Sequence, residues 1–119
     1  MSFMFENLEV YQKSLDLAEE ISNLTGSFDR GTYYIKDQAN RAALSVPANI
    51  AEGNGRRHKN DRKQFFYIAR GSAHECVPIL ELCKRKGLIS NEKNDSLKSQ
   101  INSIAMMLSK FISGLDGKD

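Results

Sequence analysis

In this 119-residue chain, Glu52, His58, Ser72, His74, Glu75 and Cys76 are of types that carry out reactions when they converge. Glu52 and Glu75 would need shared access to one substrate to work as a general acid and base, and the helices read below place them far apart. Ser72, His74 and Glu75 are neighbours in sequence, but a serine and a histidine two positions apart on one helix face different directions and cannot converge as a triad does. His58, His74 and Cys76 lack the i, i+3 or i, i+4 spacing of helical metal sites, and no Glu-x-x-His motif is present. Gly53-Asn54-Gly55 is not a phosphate loop, because no lysine followed by serine or threonine opens a helix at the required distance. The expectation is a protein without catalytic residues, metal or cofactor.

Cations are the stronger chemical signal. Arg56, Arg57, His58, Lys59, Arg62 and Lys63 crowd one loop and the first turn of the helix that follows. A helix N-terminus is already electropositive, so cations there work against local stability. An anionic backbone would relieve that repulsion, with loop amides adding to the attraction. No aromatic residue interleaves with the run, which favours phosphate contact over base stacking. Arg56, Arg57, Lys59, Arg62 and Lys63 are therefore the candidate residues for binding RNA or DNA, set against an ordinary solvated loop. Lys84, Arg85 and Lys86 end a helix, where cations are favoured, and read as capping.

A third pattern is polar but not basic. Gln38, Arg41, Ser45, Asn49 and Glu52 recur at steps of three and four, one stripe of a helix, beside an apolar stripe of Ile35, Ala39, Ala42, Val46 and Ile50. Polar groups at the edge of a core need partners, so the row is either a hydrogen-bonded network between helices or a surface for a ligand. If the next helix folds back near Arg57, positions summing to about 114 lie at equal depth by the geometry of an antiparallel hairpin, which sets Arg41 between Ser72 and Glu75. The expectation is an Arg41–Glu75 ion pair, with Gln38, Ser45, Asn49 and Ser72 completing the network. Alanines on both helices, with Gly71, suggest a close approach there; a contact between subunits would explain Gly71 equally well.

Four helices must position these residues. The first is expected over about 7–24, with Leu8, Tyr11, Leu15, Ala18 and Ile21 inward and Gly26 as its C-terminal cap. The second spans about 34–52, is stopped by Gly53-Asn54-Gly55 and bent by Pro47, the alternative being a shorter helix starting at Ser45. The third begins at Asn60 or Asp61 as N-cap, carries Phe65, Ala69, Ser72, Cys76, Ile79 and Cys83 inward, and ends at Lys84-Arg85-Lys86-Gly87. Ser90 caps the fourth, which runs to about 115 with Leu97, Ile101, Ile104, Leu108, Phe111 and Leu115 on one face. Four amphipathic helices with short loops give an all-α, antiparallel up-and-down bundle forming one domain over 1–119.

Two further blocks complete a resemblance that the polar stripe begins. Gln38-x-x-Arg41-Ala42-x-x-Ser45-x-x-x-Asn49-Ile50-x-Glu52-Gly53, Ile68 to Glu75, and the opening Phe5-x-x-Leu8-x-Val10-Tyr11-Gln12-Lys13 together resemble the small four-helix proteins encoded in intervening sequences of bacterial large-subunit ribosomal RNA genes. The resemblance spans nearly the whole chain and implies the same bundle. It extends to the accessory variability proteins of diversity-generating retroelements, which implies a homopentamer working with RNA and a nucleic-acid enzyme.

Composition and charge fit that picture. Residues 1–29 carry a net −5 and residues 30–86 a net +7 within an overall charge of +2, a polarity suited to an acidic partner or to head-to-tail self-association. Phe3, Phe5, Phe66 and Tyr67 are aromatics that a lone bundle would not fully bury. No apolar run approaches the roughly 18 residues of a membrane span, and Met1 to Glu6 is too short and too soon acidic for a signal peptide. Cys76 and Cys83 lie seven residues apart on one helix, about 10 Å of rise and beyond a disulfide, so they read as buried thiols of a cytoplasmic protein. The expected function is a non-catalytic, self-associating accessory protein that binds nucleic acid or its enzymes. The alternative is a protein-interaction module without nucleic acid.

Overall fold

Helical periodicity accounts for nearly all of the architecture in the computed structural model, which describes residues 1–116. The helices are α1 (Glu9–Thr25), α2 (Tyr33–Asn54), α3 (Lys59–Arg85) and α4 (Asn91–Asp116), with short 3-10 turns at Met4–Asn7 and Arg30–Thr32. Each helix packs on its neighbours in sequence, and α4 closes back on α1. Side-chain pairs fix the antiparallel sense: Thr25 with Asn40, Ser45 with Ser72, Arg70 with Ser109 and Glu20 with Gln100. The result is an up-and-down four-helix bundle without strands among the described residues.

The core is aliphatic along α4 and small along the α2–α3 seam. Leu97, Ile101, Ile104, Leu108 and Ile112 face inward from α4, while Ala39, Ala42, Ala43, Ala69 and Ala73 line the seam. Packing is most extensive between α2 and α3 and least between α1 and α4. Gly53 belongs to the close approach: a Cβ there would lie 2.9 Å from Cε1 of Phe66 and 3.0 Å from Cβ of Phe65. That is why Gly53 is buried inside α2 instead of stopping it; the helix continues to Asn54. Pro47, also buried, sits within the unbroken helix, so the shorter alternative does not form.

Three other expectations are corrected. The inward stripe of α1 is Val10, Ser14, Leu17 and Ile21, while Leu15 is exposed. The stripe is rotated because Ser14 can be buried: its hydroxyl donates to the Tyr11 carbonyl at 2.8 Å. The N-cap of α3 is His58, without a side-chain cap, and Asn60 and Asp61 lie in the first turn. Phe66 is buried in the core, whereas Phe3 and Tyr67 are exposed. Gly26 caps α1 with right-handed φ. The left-handed cap is instead Gly87 (φ 76°) after α3, where the Gly87 amide reaches Lys84 and the Leu88 amide reaches Cys83, a Schellman closure.

Two carboxylates tie α4 to its neighbours at the end where α1 and α3 finish. Glu20 of α1 accepts from Gln100 (2.9 Å) and Lys93 (3.0 Å), and these bonds hold its carboxyl below the ordinary range. Glu81 of α3 meets Lys84 (3.2 Å) and Lys98 (3.4 Å) and accepts from Asn94 at 3.2 Å. Lys84, followed by Lys98, lowers the Glu81 carboxyl to about 2. Cys76 and Cys83 are free and buried, and burial pushes the Cys76 thiol up to about 12, a poor nucleophile at neutral pH.

A folded-state value below the unfolded one means that Glu81 stabilises the fold above its ordinary range, and that this contribution is lost as pH falls toward 2. Glu81→Gln should therefore lower the melting temperature at pH 7, and the gap from the parent should close as pH is taken from about 4.5 to about 2. Thermal melts across that window check it; a gap that stays constant would contradict the clamp.

Candidate nucleic-acid interface

The polar stripe of α2 divides once the helices are packed. At its centre, the Ser45 and Ser72 hydroxyls are 2.8 Å apart across the α2–α3 seam. The Asn49 amide donates to the Ser45 carbonyl at 2.8 Å and to its hydroxyl at 3.0 Å. Three residues thus form one hydrogen-bonded unit that lets two helices meet through small side chains without orphaning a hydroxyl.

The outer members of the stripe do not join it. Arg41 pairs with Asp37 one turn earlier on the same helix, at 3.1 Å, with a side chain 76% exposed. Glu75 is exposed and makes no ion pair among the described residues. The expected Arg41–Glu75 pair does not form, because equal depth is not a shared face: Arg41 and Glu75 each sit on the solvent side of their helix. Gln38 is exposed too, and Glu52 pairs with Arg56 at 2.8 Å. Gly71 is likewise exposed, with nothing within 4 Å of a Cβ placed there, so it does not mark the α2–α3 contact.

The reactive residue types stay apart. Ser72 shares its hydroxyl with Ser45, His74 is exposed, and Glu52 and Glu75 lie on different helices with different surroundings. Among the described residues no group of three or more His, Cys, Asp or Glu is placed to hold a metal ion.

The five cations gather at one end of the bundle, where α2 ends, α3 begins and α4 ends. Their surroundings differ. Arg56 is held by Glu52 and lies over the Phe65 ring, 4.7 Å from its centroid. Lys63 pairs with Asp116 in the last turn of α4, and that hydrogen bond raises its pKa. Arg57, Lys59 and Arg62 make no ion pair among the described residues and line one concavity together with Lys110 of α4. The Nε atom of Arg62 is itself buried, without a hydrogen-bond partner among the described residues. Lys110, forty-seven residues of sequence from Lys63, was invisible to local spacing; the α3–α4 packing brings it to the same rim.

Comparison with known proteins follows this geometry. Residues 6–110 match the family described as 23S rRNA-intervening sequence protein. Among solved structures, a protein from Bacteroides thetaiotaomicron VPI-5482, described as of unknown function and from the S23 ribosomal protein family, superimposes with a TM-score of 0.79. It is 28% identical, over 87% of this chain and 97% of that one. No curated protein matches.

Because Ser72 is tied into the seam and Glu75 is not, Ser72→Ala should cost about 1 kcal/mol, and Glu75→Ala should change stability by less than about 0.5 kcal/mol. Urea denaturation of both variants checks the order; an equal or larger loss for Glu75→Ala would restore the ion pair.

Proposed function

We propose a nucleic-acid-directed, non-catalytic role for this chain, which belongs to the 23S rRNA-intervening sequence protein family. The basic end of the bundle binds RNA or DNA through its phosphates. The observation that carries this reading is that Arg57, Lys59 and Arg62 have no acidic partner among the described residues, at one rim beside Arg56 and Lys63. No helix in the described residues is long and apolar enough to cross a membrane, so the basic rim is not read as flanking a span.

Binding of this kind is indifferent to sequence and steeply dependent on salt. Changing Arg56, Arg57, Lys59, Arg62 and Lys63 together to glutamine should abolish RNA binding at about 50 mM salt, where phosphate contacts are strong. Single changes should each reduce the log-log salt slope by roughly one unit where the residue contacts a phosphate. Fluorescence anisotropy with an unstructured RNA reads both. A parent that does not bind, or a folded five-fold variant that binds as tightly as the parent, rejects the reading.

Self-association belongs to the same proposal. Leu44, Tyr67 and Ile68 are exposed, and Gly71 opens onto free space in the middle of α3. These residues supply apolar surface and a place for a second backbone to approach. The likeness to the accessory variability proteins implies five copies, which would repeat the basic rim around a ring and multiply weak contacts, and it implies docking to a nucleic-acid enzyme. The same apolar surface is what favours the second reading, a protein-interaction module without nucleic acid.

Gly71→Ala separates a contact face from a merely exposed one. Alanine should stabilise the isolated chain by roughly 1 kcal/mol, since no atom of the described residues opposes the added methyl. It should at the same time lower the oligomeric fraction seen by light scattering. An assembly that is unchanged would remove Gly71 from the interface, and a monomeric parent at micromolar concentration would remove the interface.

A further inference from the structure

The rim that carries Arg57, Lys59 and Arg62 is also the mouth of a cavity of about 820 Å³. Its floor is hydrocarbon and aromatic: Val10 of α1, Phe66 of α3, and Met107, Phe111 and Leu115 of α4. Phe66 and Phe111 lean on one another, with ring centroids 5.8 Å apart. The opening exists because α1 and α4 are the least closely packed neighbours in the bundle. Four cations stand around it, Lys110 being the fourth, against one carboxylate, Glu9, which is mostly solvent-exposed and directed toward Lys13.

We propose that this cavity is a binding site for a small amphipathic anion, with an apolar body on the Phe66–Phe111 floor and a single anionic head held by Arg62, Arg57 and Lys110. The volume lies within the range of small-molecule sites, which are mostly apolar with a few placed polar groups. The cations supply the second reason, since Arg57, Lys59, Arg62 and Lys110 share this lining and have no acidic partner among the described residues. A carboxylate or sulfonate on the ligand would meet these guanidinium and ammonium groups by charge-assisted bonds. The lining contains no amide or hydroxyl side chain, and its apolar part is aliphatic or phenyl. The body it suits is an alkyl chain or a plain aromatic. This site goes beyond phosphate binding at the rim, which needs the cations but not the floor.

Gly114 makes the proposal testable without touching a charge. It lines the cavity, and a Cβ built on it meets nothing within 4 Å. Gly114→Phe therefore fills the site from a helical position where glycine is the poorer helix former. The probe is 8-anilinonaphthalene-1-sulfonate, followed by fluorescence and displaced with dodecanoate or, as the uncharged control, dodecanol.

The expected result is one saturable dye site per chain, displaced by dodecanoate well before dodecanol. Gly114→Phe and Arg62→Gln should each weaken the dye by about tenfold or more, about 1.4 kcal/mol, with Arg62→Lys restoring part of the loss. Arg56→Gln and Lys63→Gln, outside the cavity, should leave dye binding unchanged. Gly114→Phe should leave the salt slope of RNA binding unchanged, so the two readings fail separately. Dye binding that does not saturate, equal displacement by dodecanol, indifference to Gly114→Phe, or fewer than one site per chain because a second copy covers the mouth would each overturn the proposal.

Discussion

Close approach of α2 and α3 is the constraint on which the other features depend. It is made by side chains too small to hold the helices apart, Ala39, Ala42, Ala43, Ala69 and Ala73, and by Gly53, whose missing Cβ admits the Phe66 ring. Small residues bury little apolar area each, so the seam is completed by hydrogen bonds: Ser45 to Ser72, with Asn49 holding Ser45. This seam anchors both ends of the short connection at residues 55–58. Cations that repel one another and a helix dipole are thereby kept together, because the chain on either side is fixed.

The opposite side of the bundle is built differently. Leucine and isoleucine from α4 fill the space that the alanine seam leaves, and Glu20 and Glu81 clamp α4 to α1 and α3 only near the start of α4. Toward the end of α4 no comparable clamp joins it to α1 among the described residues. The one cross-helix ion pair there, Lys63 with Asp116, ties α4 to α3. A bundle clamped at one end and looser at the other has its cavity where the basic rim is, and both follow from where the polar partners were placed.

Apolar period and glycine or serine punctuation carry most of this fold in the sequence, since each element depends on residues three and four apart. The failures arise where burial or pairing is set by how the helices pack. Ser14 lies outside the expected inward stripe of α1, yet it is buried, its hydroxyl donating to the Tyr11 carbonyl one turn earlier. Gly53 read as a helix stop because the phenylalanines opposing it lie more than ten residues further on. Arg41 and Glu75 shared a depth but not a face. The basic run was legible as a cluster, whereas the pairing of Arg56 with Glu52 and of Lys63 with Asp116, leaving Arg57, Lys59 and Arg62 without an acidic partner among the described residues, required the packed helices. Lys110 and the cavity itself could not be read, because a gap between helices leaves no mark in either helix alone.

An amide-resolved NMR titration with an unstructured RNA at low salt tests most directly the claim that the α2–α3 hairpin presents a phosphate-binding rim. The expected shifts centre on residues 56–63 and the last turns of α4, grow with RNA and collapse when salt is raised, while Gln38, Arg41 and Ser45 stay unmoved. Shifts centred on the outer face of α2, or none near 56–63, would contradict it.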